Sequence, residues 1–157
     1  MTEKVYLSRA GFEKLKTDLD ILRKEKAGLS IEIGEAASQG DLRENAGYTA
    51  AMERQQEVLN RIIDLERKLG SAQLIEEINI PQGEIRIGVK VTLEETPGGD
   101  ESQWALVGSE EADINEGKIS VHAPLSQGLL GHKEGEIVTV HLPRGPITYK
   151  ILKVARL

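Results

Sequence analysis

The sequence predicts a two-part α+β protein. An antiparallel α-helical coiled-coil hairpin is expected over residues 1–76, and a compact α+β domain is expected over residues 77–157. Residues 1–76 contain no proline, whereas residues 77–157 contain all five. In the first part, apolar residues recur at steps of three and four, which is typical of amphipathic helices. In the second part, short alternating apolar runs are separated by Gly- and Pro-containing turns, which is typical of strands.

The first helix is predicted to begin at Ser8, because serine is a favoured N-cap residue. Seven of the eight positions in its apolar series are apolar. The series is Phe12, Leu15, Leu19, Leu22, Lys26, Leu29, Ile33 and Ala36. Lys26 breaks this seam, and we expect its long side chain to reach solvent. Gly40 is well placed to end the helix.

A second series predicts a second helix, again with seven of eight positions apolar. The series is Tyr48, Ala51, Gln55, Val58, Ile62, Leu65, Leu69 and Ala72. Both series follow the 3.5-residue repeat of coiled coils. The connection at 38–45 is so short that the helices must run antiparallel. A long thin hairpin with a polar loop at its tip could also serve only as a spacer or a dimerisation element.

The second part is predicted to contain about five strands and one short helix. The strands are expected at 86–94, 103–108, 118–122, 136–142 and 147–154, and the helix at 125–130. The turn at 97–100 contains Pro97 followed by two glycines. Trp104 alternates with Leu106 along one strand, so we expect it in the core rather than in a site.

The tip loop contains the one group of side chains whose spacing suggests a chemical role. Asp41 and Glu44 are three residues apart where the second helix begins, so both carboxylates can face outward together. Mg²⁺ sites often use only one or two protein carboxylates. The same spacing is also a capping box, with Asp41 as the N-cap and Glu44 as its partner. The two interpretations are compatible, and Asp41→Asn separates them, because Asn caps well but is a poor Mg²⁺ ligand.

Composition excludes several functional classes. The chain has no cysteine, so disulfide frameworks, Cys-ligated zinc and a thiol nucleophile are excluded. Its net charge of -6 does not support stand-alone nucleic-acid binding. His122, His132 and His141 lack metal-ligand spacing. The chain has no apolar run long enough to span a membrane and no signal-peptide pattern, so we expect a cytoplasmic protein without a membrane partner. Two exposed carboxylates cannot close a metal site, so any chemistry must complete a site that belongs to a partner.

Four separated segments resemble one family. They are residues 40–48, with the sequence Gly-Asp-Leu-Arg-Glu-Asn-Ala-Gly-Tyr, and the runs 107–114, 118–124 and 128–140. Together they are similar to the bacterial Gre transcript-cleavage factors, and the similarity extends over essentially the whole chain. The resemblance implies an FKBP-like fold for residues 77–157.

The resemblance also implies a function and a partner. Such factors bind bacterial RNA polymerase that has backtracked. The globular domain docks at the rim of the secondary channel, and the coiled coil enters the channel. Asp41 and Glu44 would then be the catalytic pair that helps hold the second Mg²⁺ jointly with the polymerase. The nascent RNA 3′ end is cut by the polymerase, so the chain would be an activator without a cofactor of its own rather than an enzyme.

The resemblance implies roles for further residues. Tyr48, Arg43 and Asn45 would support the tip or contact the substrate. Arg54 would contact RNA, and Ser120 and Pro124 would contact polymerase. Ala37 and Met52 stand where the family often carries basic residues, which argues against strong RNA retention. We expect a monomer.

Two other functions are compatible with the sequence. One is a regulator that enters the same channel without stimulating cleavage, and the other is a coiled-coil adaptor or chaperone. Prolyl isomerase activity is not expected, because residues 77–157 offer only Trp104 and Tyr149 as pocket aromatics.

Overall fold

The structure is a computed structural model, and it describes residues 4–38 and 46–157. The described residues separate into two compact units. We call residues 12–72 the helical unit, and residues 4–11 together with 73–157 the C-terminal unit.

The helical unit contains α1 (Arg9–Ala37), whose first turn belongs to the C-terminal unit, and α2 (Ala46–Gly70). At 1.5 Å per residue the two helices are about 44 Å and about 38 Å long. Arg23 on α1 pairs with Glu66, whereas Glu25, further along α1, pairs with Arg54. Residue numbers rise along one helix as they fall along the other, so the helices are antiparallel, as predicted.

The two helices bury one continuous apolar seam. Its buried residues are Leu19, Leu29, Ala51, Val58, Ile62 and Leu65, with Leu15, Leu22, Ile33 and Leu69 partly buried against them. All ten occupy positions in the two predicted apolar series, which confirms the coiled-coil pattern. Lys26 is exposed, as expected for a long cationic side chain at the edge of a seam.

The C-terminal unit is built on a five-stranded sheet with the order β5-β4-β3-β7-β6. The strands are β3 (Val89–Thr96), β4 (Glu101–Val107), β5 (Lys118–Ser120), β6 (Ile137–Leu142) and β7 (Gly145–Arg156). Only the β4–β5 pair is parallel, and the other pairs are antiparallel. The short helix α3 (Pro124–Leu129) packs against β6. The predicted α+β class is therefore confirmed.

The core of the C-terminal unit lies between the sheet and α3. Alternate residues of β3 are fully buried, as in a strand with one face on a core. These contact Leu106, Leu129 and Ile151, which are also fully buried. Trp104 packs against this cluster, which confirms that it belongs to the core.

Two short strands were not predicted. β1 (Val5–Leu7) and β2 (Ala72–Leu74) form a separate two-stranded sheet. These two strands are defined by pairing between residues far apart in the chain, which a local period-two pattern does not report.

Several predicted strand ends differ from the observed ends, and two of the differences have a clear local cause. The strand predicted at 86–94 starts at Val89, because Ile87 and Gly88 form a turn in which Gly88 has a φ of 94°. Only glycine adopts that conformation without strain. The strand predicted at 118–122 ends at Ser120, because Val121 and His122 turn toward α3.

Candidate functional site

The predicted catalytic pair lies outside the described residues. Asp41 and Glu44, together with the neighbouring Arg43 and Asn45, fall in the segment 39–45. In the sequence this segment lies between the two long helices, since α1 ends at Ala37 and α2 begins at Ala46. The predicted roles of these four residues therefore remain predictions.

Of the three residues predicted to support the tip or contact the substrate, the structure describes Tyr48 and leaves Arg43 and Asn45 outside its described ranges. Tyr48 lies in the first turn of α2 and is half-buried. Tip support and substrate contact both remain open for this side chain.

Arg54, the predicted RNA contact, lies on α2 within an ion-pair network. Its Nε lies 2.8 Å from Glu25 Oε1 on α1, and its Nη1 lies 3.1 Å from Glu57 Oε2. The hydrogen bond with Glu25 is the main reason that the pKa of Arg54 is raised above its ordinary value. The guanidinium is about half exposed. Contact with an RNA phosphate would therefore require Arg54 to exchange a carboxylate partner for the phosphate.

The other arginines in the described part of the helical unit are paired as well. Arg23 contacts Glu66 at 3.0 Å, and Arg61 and Arg67 each contact Asp64 at 3.1 Å. The charge of these arginines is thus offset by carboxylates within the helical unit.

Ser120 and Pro124, the predicted polymerase contacts, belong to a tightly hydrogen-bonded turn. The Ser120 carbonyl accepts hydrogen bonds from Ser126 Oγ at 2.6 Å and from the Ala123 amide at 3.0 Å. The Ser120 hydroxyl accepts from the His122 amide at 3.1 Å. Pro124 is exposed as the first residue of α3, a position that suits proline. The turn therefore presents its outer residues on a stable backbone.

An open groove lies next to this turn and was not predicted from the sequence. Its volume is about 500 Å³, and all its lining residues belong to the C-terminal unit. They are Tyr6, Ile78, Ile85, Arg86, Ile87, Val121, Leu130 and Gly131. From the sequence, Ile87 is predicted only as part of the strand at 86–94, and Ile85 is not singled out. The contribution of Tyr6 could not have been foreseen, because it comes from the opposite end of the chain.

The described part of the chain contains no cluster of three or more His, Asp or Glu side chains that could hold a metal ion. His132 Nδ1 lies 3.3 Å from Glu136, and the Lys133 amide also donates to that carboxylate. The amide is the main cause of the lowered pKa of Glu136.

None of the helices in the described ranges is both long and apolar enough to cross a membrane.

Comparison with known proteins assigns both parts of the chain to one family. Residues 5–74 match the family model described as transcription elongation factor, N-terminal, and residues 80–156 match that for the GreA/GreB C-terminal part. The chain belongs to the GreA/GreB family of transcription elongation factors. This confirms the resemblance seen in the four sequence segments.

Individual members of the GreA/GreB family match over nearly their whole length. Transcription elongation factor GreA of Chloroherpeton thalassium is 42% identical over 155 residues, which is 98% of both chains. The GreA of Thioalkalivibrio sulfidiphilus is 41% identical and covers 96% of this chain and 97% of that relative. Among solved structures, the GreA factor homolog 1 (Gfh1) of Thermus thermophilus is 26% identical, with a TM-score of 0.44 over 97% of this chain and 99% of that one.

Proposed function

We propose that this chain binds bacterial RNA polymerase and stimulates endonucleolytic cleavage of the nascent RNA 3′ end in backtracked complexes. The observation that carries the proposal is membership of the GreA/GreB family over both parts of the chain, with Asp41 and Glu44 in the segment that joins the two helices. In this proposal the chain acts as a monomer, and the polymerase supplies the nuclease site and holds the reacting RNA.

The donor set at the proposed tip suits Mg²⁺. The ion prefers oxygen ligands and commonly takes one or two protein carboxylates, with water and phosphate oxygens as its other ligands. Asp41 and Glu44 would hold the ion jointly with polymerase residues. When bound, the second ion of a two-metal site stabilises charge on the attacking and leaving oxygens. The role of this chain is to deliver the two carboxylates to the second-ion position.

The charge pattern of the hairpin supports delivery rather than retention of RNA. The arginines in the described part of the helical unit are paired with carboxylates, and in this proposal the polymerase holds the nucleic acid. Docking at the rim of the secondary channel would involve Ser120 and Pro124, beside the groove in the C-terminal unit.

The proposal predicts that Asp41→Asn keeps polymerase binding and abolishes stimulated cleavage. Asn retains the capping ability of Asp but lacks the charge that a Mg²⁺ ligand needs. Shortening of a 5′-end-labelled RNA in stalled complexes is the measurement, and Glu44→Gln should act in the same way.

Asp18→Asn is a matched control, because it removes one negative charge from α1 in the helical unit, away from the segment 39–45. It should leave cleavage unchanged. Cleavage by Asp41→Asn at the wild-type rate would remove the tip from the mechanism. Polymerase binding without RNA shortening by the wild-type chain would instead identify a channel-binding regulator.

A further inference from the structure

The first turn of α1 is held by two carboxylates from distant parts of the chain. The Ser8 amide donates to Glu111 Oε2 at 2.8 Å, and the Ser8 hydroxyl also bonds to this carboxylate. The Arg9 amide donates to both oxygens of Glu76, at 2.7 Å and 3.1 Å. We call Glu76 and Glu111 the carboxylate clamp.

The clamp supplements an ordinary N-cap. Ser8 Oγ accepts a hydrogen bond from the Gly11 amide at 3.0 Å, which confirms Ser8 as the predicted N-cap. The first amides of a helix have no partner within the helix. Carboxylates at this end also interact favourably with the positive end of the helix dipole. The clamp therefore provides charge-assisted hydrogen bonds where the helix is otherwise poorly held.

Both clamp residues are themselves placed by short 3₁₀ turns. Glu76 lies in the turn Ile75–Glu77, and Glu111 lies in the turn Ser109–Glu111. Arg156 Nη2 donates to the carbonyls of Ile75, Glu76 and Ile78, at 3.3, 2.9 and 2.6 Å. The Glu111 amide donates to the Gly108 carbonyl at 3.1 Å. Hydrogen bonds within the C-terminal unit thus hold the backbone segments that carry both clamp residues.

Gly11 shows how closely Glu111 approaches the helix. A Cβ atom added at Gly11 would collide with the carboxylate of Glu111 and would lie 2.7 Å from its Cδ. Glycine lowers the stability of a helix by about 1 kcal/mol relative to alanine. Its presence in the first turn of α1 is explained by the space that Glu111 occupies.

The length of α1 makes small displacements of this turn important. A tilt of about 10° at the start of a 44 Å helix displaces its other end by about 8 Å. Misplacement of a catalytic group by about 1 Å can lower a rate about 100-fold. Under the proposed function, the residues that follow α1 include the two catalytic carboxylates.

We propose that Glu76 and Glu111 are positioning residues for transcript cleavage, because they fasten the first turn of the helix that leads to the tip. This inference rests on the proposed function. It assigns the two carboxylates a role in the efficiency of cleavage once the factor is bound, separate from any role in binding polymerase.

The first test is the kinetics of RNA shortening in stalled complexes as a function of factor concentration. The double variant Glu76→Ala/Glu111→Ala should lower the rate at saturating factor at least about 10-fold, while the half-saturating concentration changes less than about 2-fold. Glu77→Ala is the matched control, because Glu77 is an exposed neighbour in the same turn, and it should leave both parameters unchanged.

Two further variants separate positioning from general stability. Gly11→Ala keeps both carboxylates, raises helix propensity and displaces Glu111, so it should lower the saturating rate without lowering the melting temperature. Glu111→Gln keeps an oxygen that can accept from the Ser8 amide, so it should recover part of the rate that Glu111→Ala loses. These single variants also test the proposal if the double variant does not fold.

Hydrogen–deuterium exchange on the full chain without polymerase tests the clamp itself. The amides of Ser8 and Arg9 should be protected in the wild type, with protection lost at Ser8 in Glu111→Ala and at Arg9 in Glu76→Ala. Unprotected amides in the wild type, a wild-type saturating rate in the double variant, or a defect only in the half-saturating concentration would each overturn the inference. Failure of the proposed function would look different, because the wild-type chain itself would then stimulate no cleavage.

Discussion

At the scale of single residues, Asp64 shows how much of the charge on the hairpin is used internally. Its carboxylate lies 3.0–3.1 Å from Arg61, Arg67 and Lys68 on the same helix. The hydrogen bond with Lys68 is the main cause of its lowered pKa. A carboxyl whose pKa is lower in the folded state stabilises the fold at pH values above its ordinary pKa near 3.8. That stabilisation is lost as the pH falls through the pKa of the folded state.

We therefore expect Asp64→Asn to destabilise the helical unit at neutral pH by about 1 kcal/mol or less, since the pairs are solvent-accessible. The difference in melting temperature between wild type and variant should be largest near pH 7 and should shrink as the pH falls below about 4. Circular dichroism melts across this range measure it. A difference that stays constant with pH would show that the ion pairs are not its cause. Asp20→Asn is a suitable control, because among the described residues Asp20 forms a single long ion pair, at 4.0 Å from Arg23.

The single residues differ in how far the sequence could predict them. Ser8 was predicted as an N-cap because capping depends on residue type and local position. Glu76 and Glu111 could not be predicted, because they contact the start of α1 from 67 and 103 positions away. Asp41 and Glu44 were singled out by their three-residue spacing and by the family resemblance. Both lie outside the residues that the structure describes.

At the scale of elements, the helices were predicted more accurately than the strands. Ten seam residues occupy predicted positions, because a 3.5-residue repeat sustained over many turns is a strong signal. β1 and β2 have three residues each, so they are defined by their pairing and not by a local pattern. The strand predicted from residue 86 begins only at Val89, because Gly88 has a positive φ and lies in a turn.

The buried seam predicts that alanine substitutions at nearby positions on α2 lower stability by very different amounts. Leu65 is fully buried, whereas Ile63 is 57% exposed. Leu65→Ala should destabilise the helical unit by about 2–5 kcal/mol, because it leaves a cavity in a seam with few other contacts. Ile63→Ala should change stability by about 0.5 kcal/mol or less.

Urea unfolding followed by circular dichroism at 222 nm measures both variants, since α1 and α2 provide most of the helix. Equal losses from Leu65→Ala and Ile63→Ala would mean that the seam does not hold the two helices together.

At the scale of the whole molecule, the chain combines two units with different contributions to one proposed activity. The helical unit carries the segment with Asp41 and Glu44 between two long helices. The C-terminal unit offers a stable turn at Ser120–Pro124, an apolar groove and the carboxylate clamp on α1. Within the described residues, neither unit brings together three or more His, Asp or Glu side chains that could hold a metal ion.

The most direct test of this account is the dependence of transcript cleavage on Mg²⁺ concentration in backtracked complexes. Because the tip carboxylates are proposed to hold the second ion, saturating wild-type chain should lower the Mg²⁺ concentration that gives half-maximal cleavage, and Asp41→Asn should leave it at the value of polymerase alone. A variant that shifts the Mg²⁺ dependence as far as the wild type would contradict the account.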